Sequence, residues 1–481
     1  MSKKIGFLKK NGIYYTNSAL ANTMINELNI NYTKNFTIAE MAVGEGHILK
    51  YIIINYLKNN KDKKINQIIN FFEKNIFAFD NRSDAIETCK AELTNIVEKY
   101  LKVNININWN IQNINILDEK ELNKYYGRFD YIISNPPYIA RRNLNQETVL
   151  KLKKQSCFCS KYNYNFYYYF MEMGFRLWNK KRKMVYITPN SYIKSNSAEK
   201  MNRFFFKGKY FEKIIDFRDK LMFENAKTFT AITVFSPYNC NIKIVDDNNT
   251  IISNKKYAEI NSVDLNPFYE ITTNNKLTLD DISKIRTGIA TLNDKVFIIK
   301  DLDIIKKEKY YFTVKKNGQL FKIERKILKK GIRASNPAQI NYVIFPYFSY
   351  NGQYQKMVNL KSLYPYAYKY LSSLLSMQYQ KKYGIFWGRS QGIYDYNKEK
   401  IVISRNSKLH NNPFYVVKSG FIISGIFLIP NDNSNIFELN DYLNGEYVQN
   451  LLDTLSKTYV QKYKSLSSTL LKKLPINNDT P

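Results

Sequence analysis

Four apolar runs in the first third of the chain each end in a polar side chain, and helical periodicity separates the first three. Residues 36–40 finish on Glu40 and run into Gly44-Glu45-Gly46, after which 48–57 reads as a helix. A lysine-rich helical stretch, 59–74, leads to a run at 75–79 that ends in Asp80, and a helix is expected over 83–101. The runs at 111–117 and 128–134 end in Asp118 and Asn135. Short apolar runs of this kind are strands buried on both faces, and strand–turn–helix repeats build a doubly wound parallel sheet. Such sheets bind ligands at the carboxyl ends of their strands, where all four polar groups fall. The alternation continues with a helix at 166–178, a fifth strand at 183–188, a helix at 197–206, and strands at 214–217 and 228–235. An α/β, Rossmann-like sheet of seven strands is therefore expected. Periodicity stops at Pro237-Tyr238-Asn239, which puts a domain boundary near residue 240, with a mixed α/β domain over 241–481.

The fourth run ends in Asn135-Pro136-Pro137-Tyr138. An Asn followed by two prolines holds a side-chain amide oxygen beside a rigid backbone carbonyl. Two such acceptors grip both hydrogens of an exocyclic or amide NH2 group. Conjugation makes that nitrogen a poor nucleophile; accepting both hydrogens pulls it toward sp3 geometry and frees its lone pair for an electrophilic methyl. Tyr138 offers a flat face on which a planar base can stack. Upstream, Glu40, Gly44 and Gly46 form E-x-x-x-G-x-G, with Leu49 where a dinucleotide fingerprint has its third glycine. That pattern suits a nucleoside ligand better than a pyrophosphate. Asp80, at the tip of the second strand, is placed to accept from ribose hydroxyls.

With 73 Lys and Arg against 41 Asp and Glu, the chain carries a formal charge of +32, which favours a polyanionic partner. Cys89, Cys157, Cys159 and Cys240 lack metal or disulfide spacing, and His47 and His410 are the only histidines. No metal site is expected. No apolar run reaches the length of a membrane span, so a cytoplasmic, nucleoid-associated bacterial protein is expected.

In this order the residues resemble the class I methyltransferases that use S-adenosylmethionine, in particular the gamma-class N6-adenine DNA methyltransferases of the TaqI-like and Eco57I-like kind. The resemblance implies that Thr16, in Gly12-Ile13-Tyr14-Tyr15-Thr16, contacts the cofactor, and that Glu40, Ala42, Gly44 and Gly46 form its glycine motif. It implies that Asp80 holds the ribose, Asp118 the cofactor adenine, and Asn135, Pro136, Pro137 and Tyr138 the catalytic corner. Phe223 falls where the family packs the other face of a flipped adenine. Met41 and Val43 depart from the commoner residues of the glycine motif.

The second half resembles the target-recognition domains of these enzymes. Its opening strand and loop lie at 279–300 and a closing helix at 459–475. Candidate contacts to duplex DNA are Arg389, Arg405, Lys462 and Lys464. The resemblance implies S-adenosylmethionine as cofactor, duplex DNA as substrate, a monomer, and a separately encoded cognate endonuclease as partner. Only residues 1–10 precede the opening motif, so no upstream nuclease is expected. Protein glutamine methyltransferases, RNA guanine-N2 methyltransferases and a non-catalytic DNA-specificity subunit remain as alternatives.

Overall fold

A computed structural model describes residues 12–160, 163–223, 228–260, 268, 277–431, 435–458 and 463–476. Its contacts divide the chain into two compact units, Met1–Glu270 and Ile271–Pro481.

The strands β1 (Ile38–Glu40), β4 (Tyr131–Ser134), β5 (Met184–Pro189) and β7 (Thr230–Phe235) are buried along their whole lengths. They form the centre of a sheet completed by β2 (Ile76–Asp80), β3 (Asn110–Asn113), β6 (Phe211–Asp216), β8 (Asn241–Val245) and β9 (Ile251–Lys256). The strand order is β3-β2-β1-β4-β5-β7-β6-β8-β9. β1 pairs in parallel with both β2 and β4, whereas β7 runs antiparallel between β5 and β6. Alternate residues serve two separate cores. Ala39, Phe77, Phe79 and Ile132 pack on one face, and Ile38, Ile76, Ala78 and Ile133 on the other.

Helices cover both faces because their apolar residues recur at helical spacing. Helix α1 (Ser18–Leu28) is capped by the Asn17 side chain and buries Leu20, Ala21, Met24, Ile25 and Leu28. Helix α2 (Leu49–Asn59) joins it on that face, as does α4 (Ser83–Leu101), through Ile86, Cys89, Leu93 and Val97; α3 (Ile65–Asn75) lies between them in sequence. The opposite face receives α6 (Tyr167–Leu177), nearly every residue of which is buried.

The expected seven strands are present, and a hairpin lengthens the sheet to nine. β8 pairs in parallel with β6, and β9 returns antiparallel to it, so the sheet of the first unit continues past residue 240. Phe268 is fully buried against Phe206 and Phe211, so the first unit's core runs to its end near residue 270.

The second unit is built from several small sheets. One orders its strands β10 (Ser283–Thr287), β23 (Gly425–Pro430), β19 (Lys400–Ser404), β21 (Tyr415–Val417). Another orders β11 (Ile298–Lys300), β16 (Asn336–Ile344), β15 (Leu328–Arg333), β22 (Phe421–Ile423). The expected closing helix is not formed as one element. Lys464–Ser465 is instead a strand pairing with Asn406–Ser407 and Lys457–Thr458, and among the described residues of that span Ser468–Lys472 is helical, capped by Ser467. Among the described residues no helix is long and apolar enough to cross a membrane.

Lys400 in β19 is 1% exposed, and its Nζ donates to the carbonyls of Asp395 and Gly420. Burial lowers its pKa to about 8, against the pull of Asp395. Below that pH both folded and unfolded chains carry the charge, and the folded state bears the full desolvation cost. As pH rises from about 8 the folded state releases its proton first, so stability increases. Denaturant unfolding should show a gain on the order of 2 kcal/mol up to pH ~10. Buried tyrosines such as Tyr370 and Tyr415, whose pKa values are raised by burial, reverse the trend above that. The Lys400→Met chain should lack the rise.

Candidate active site

The strand order reverses between β1 and β4, and the crevice at such a switch point is where open α/β sheets take their ligands. A cavity of about 1,040 Å3, counting its open mouth, lies at this point. It is lined by Thr16, Glu40, Ala42, Gly44, Asp80, Asn135 and Pro137 among the expected residues.

Glu40 is 1% exposed, and its Oε2 has no hydrogen-bond partner among the described residues. Burial pushes its carboxyl well above the usual carboxylate range, with the Leu49 backbone N–H pulling the other way. An orphaned buried carboxylate in a cavity wall is costly unless a cation meets it. Gly44, at φ +52°, donates its N–H to Asp80 Oδ2 at 2.8 Å, and the Arg82 N–H donates to Oδ1 at 3.0 Å. Asp80 thus ties the glycine loop to β2. Gly46 does not line the cavity; its φ is +83°, and a Cβ there would lie 2.8 Å from Cys89 Sγ. Its role is the close packing of loop on helix.

The N-terminal segment crosses the catalytic corner. Gly12 accepts the Tyr138 N–H at 2.9 Å, and a Cβ on Gly12 would fall 2.7 Å from the Tyr138 carbonyl oxygen. Asn135 Nδ2 donates to the Tyr14 carbonyl at 2.8 Å and to Thr16 Oγ1 at 3.0 Å. Both amide hydrogens are therefore used, and Oδ1 is turned to the other side. There it accepts from the Tyr138 hydroxyl at 2.9 Å, which also reaches the Ile187 carbonyl at 3.2 Å.

Tyr138 and Phe223 do not form an open sandwich. Their rings lie 6.2 Å apart at 69°, and Tyr14 packs on both, at 5.3 and 5.6 Å. The three rings pack on one another and remove apolar surface from water.

Asp118 and Lys464 sit elsewhere than the sequence suggests. Asp118 is exposed, does not line the cavity, and caps the turn Glu119–Leu122. Asn115 lines the cavity instead, between Ile114 and Ile116. The β3 strand ends at Asn113, and Asn115 Oδ1 accepts the Leu117 N–H in a local turn, so the polar group arrives three residues early. Lys464 is 8% exposed and donates to Thr458 Oγ1 while pairing with Asp453 at 2.9 Å, so it is spent within the unit. Arg389 and Arg405 are exposed, and Lys462 lies outside the described residues.

The sequence reading missed Tyr15, His47, Arg82, Phe166 and Phe170 in the cavity wall. Tyr15 donates to Glu45 Oε1 at 2.8 Å and packs on the His47 ring at 4.7 Å. Their signal was position alone, next to the opening motif and the glycine loop.

Residues 74–223 match the family described as Eco57I restriction-modification methylase. The chain is 22% identical over 406 residues to the type II restriction enzyme and methyltransferase RM.Eco57I of Escherichia coli, a span of 73% of this chain and 40% of that protein. The type IIL restriction-modification enzyme MmeI in complex with DNA superposes with a TM-score of 0.64 at 12% identity, over 97% of this chain and 68% of that one. A nuclease-deletion mutant of the type ISP enzyme LlaGI with a DNA substrate mimic gives 0.56 at 12% identity, over 96% and 45%.

The matched family is described as a methylase, and the cavity lining would fit S-adenosylmethionine as the methyl donor. The orphaned Glu40 oxygen suits the donor's ammonium, Asp80 the ribose hydroxyls, and Ile114, Ile116, Phe166 and Phe170 an adenine ring with Asn115 at its edge. The first unit is a doubly wound α/β sheet with its cavity at the switch point, and within it residues 74–223 match the Eco57I restriction-modification methylase family.

Proposed function

We propose that this chain transfers a methyl group from S-adenosylmethionine to N6 of an adenine in duplex DNA, as the modification activity of a restriction-modification system. The observation that carries the reading is the fixed orientation of Asn135. With Nδ2 committed to Tyr14 and Thr16, Oδ1 is left as an acceptor facing the other side, where it meets the Tyr138 hydroxyl. The bound donor supplies an electrophilic methyl; the protein's task is to aim a nitrogen at it.

An adenine inside a duplex must first leave the stack, at a cost of a few kcal/mol. Tyr138 and Phe223 repay this by contacting its ring, worth ~1–3 kcal/mol per stacked face. Base entry displaces the Tyr138 hydroxyl from Asn135 Oδ1, and the Ile187 carbonyl, already in reach, takes it over. Oδ1 and the Pro136 carbonyl then accept the two N6 hydrogens. Held in this way, the N6 lone pair would be aimed at the methyl that the donor supplies, and the proton that N6 gives up on methylation would pass to solvent. Rate comes from alignment and preorganised dipoles. Support for duplex DNA comes from the +32 charge and from the DNA held by the superposed MmeI and LlaGI structures.

Duplex DNA incubated with the protein and methyl-labelled donor, then digested to nucleosides, should yield labelled N6-methyladenine. Label on cytosine, or only on RNA or protein, contradicts the proposal.

A further inference from the structure

Between Glu324 and Asp395 the chain has eleven Lys and Arg and no acidic residue. This stretch contains a sheet of two strands alone, β17 (Tyr347–Tyr350) and β18 (Gln353–Lys356). They are joined by Asn351-Gly352, both at positive φ (48° and 73°), the Asn-Gly turn that matches the twist of a two-residue hairpin.

The ribbon has two unlike faces. Residues directly opposite across antiparallel strands share a face. Tyr347 is buried, packs on Phe345 and Trp387, and accepts the Trp387 N–H at 3.0 Å, while Tyr354 packs on Phe345. The other face carries the pairs Phe348–Gln355 and Tyr350–Gln353. Phe348 and Tyr350 are 41% and 59% exposed, and both glutamines are exposed with no side-chain hydrogen bond among the described residues. A ribbon anchored at its base therefore presents two free amides beside two aromatic rings, in surroundings with no negative side chain along 70 residues of sequence.

We infer that the β17–β18 hairpin enters the DNA major groove, where Gln353 and Gln355 read adenines of the recognition sequence. This rests on the proposal that the substrate is duplex DNA. A two-stranded ribbon fits the major groove, and a glutamine amide pairs with adenine through N6 and N7 together. Four residues per strand extend ~14 Å, enough to span the ~8.5 Å groove depth. The Lys356 ammonium lies 5.0 Å from the Phe386 ring at the ribbon's base, and exposed Arg389 follows Trp387; both are placed for phosphates rather than bases.

The test is selection of bound duplexes from a randomised pool, which needs no methyl transfer. The wild type should enrich one sequence. Gln353→Ala and Gln355→Ala should each relax preference at a single A·T position, by roughly 5- to 150-fold, and leave the other positions as controls of folding. Lys356→Ala should weaken all sequences evenly and lower the salt slope by about 1. An unchanged preference in both glutamine variants, an even loss across all sequences, or no enrichment by the wild type overturns the inference. If selection gives the expected pattern but labelled donor leaves adenine unmarked, the catalytic reading fails and the hairpin assignment stands.

Discussion

Asn135→Ala should abolish measurable methyl transfer while leaving donor and DNA affinity within a few-fold of wild type. The substitution removes one of two acceptors aimed at the nitrogen that becomes nucleophilic. Loss of one such preorganised group in other enzymes costs ~100- to 1,000-fold, or about 2.7–4 kcal/mol. Here the effect belongs at the upper end, because the remaining Pro136 carbonyl holds a single hydrogen and no longer fixes the lone pair. Asn135→Asp separates two contributions. It keeps an oxygen facing the base but replaces the Nδ2 donor that Tyr14 and Thr16 hold, so its orientation is lost. Single-turnover rates at saturating donor should rank wild type above Asp, and Asp above or equal to Ala. A large loss of DNA binding with a normal rate for the bound fraction would assign Asn135 to binding instead.

The second large effect concerns Glu40. Glu40→Gln should weaken donor binding by roughly 100- to 1,000-fold, the 3–4 kcal/mol expected when one partner of a buried charge pair is removed. The same change should stabilise the empty protein, since it removes a buried carboxylate whose Oε2 has no partner among the described residues. The pH dependence has a definite sign. Burial raises the Glu40 pKa in the empty site, and a cationic ligand requires the ionised form. Wild-type affinity should therefore fall as pH drops through that raised value, earlier than an ordinary carboxylate would dictate. In Glu40→Gln this titration should be absent. Calorimetric titration with the donor from pH 5 to 8 separates the two cases; a Gln variant that binds as tightly as wild type removes Glu40 from the site.

Much of the first unit was legible because its signals are local. Ser83–Leu101 is one helix as expected, with Asp84 in its first turn and Lys99 in its last. β1, β2 and β4 end on Glu40, Asp80 and the residue before Asn135, because an apolar run must stop where the chain leaves the sheet. The third run was misleading for a physical reason. Ile114 and Ile116 are apolar because they wall a cavity, not because they continue a ladder, and periodicity does not separate the two. The hairpin after residue 240 escaped for a similar reason: Asn241, Lys243, Asn254 and Lys256 give the sheet's last two strands a polar look. Lys464 looked free because Asp453 lies eleven residues away, across a turn that only the folded chain brings close. The Asn351-Gly352 turn, by contrast, was readable from sequence and passed over amid loop-like residues.

Soaking crystals of the protein with S-adenosylhomocysteine, the donor stripped of its methyl, tests the central claim most directly. The ligand's ammonium should lie against Glu40, its ribose on Asp80, and its sulfur should face the corner formed by Asn135 and Pro136. Density for the ligand elsewhere on the chain, or a site that stays empty at saturating concentration, would contradict that claim.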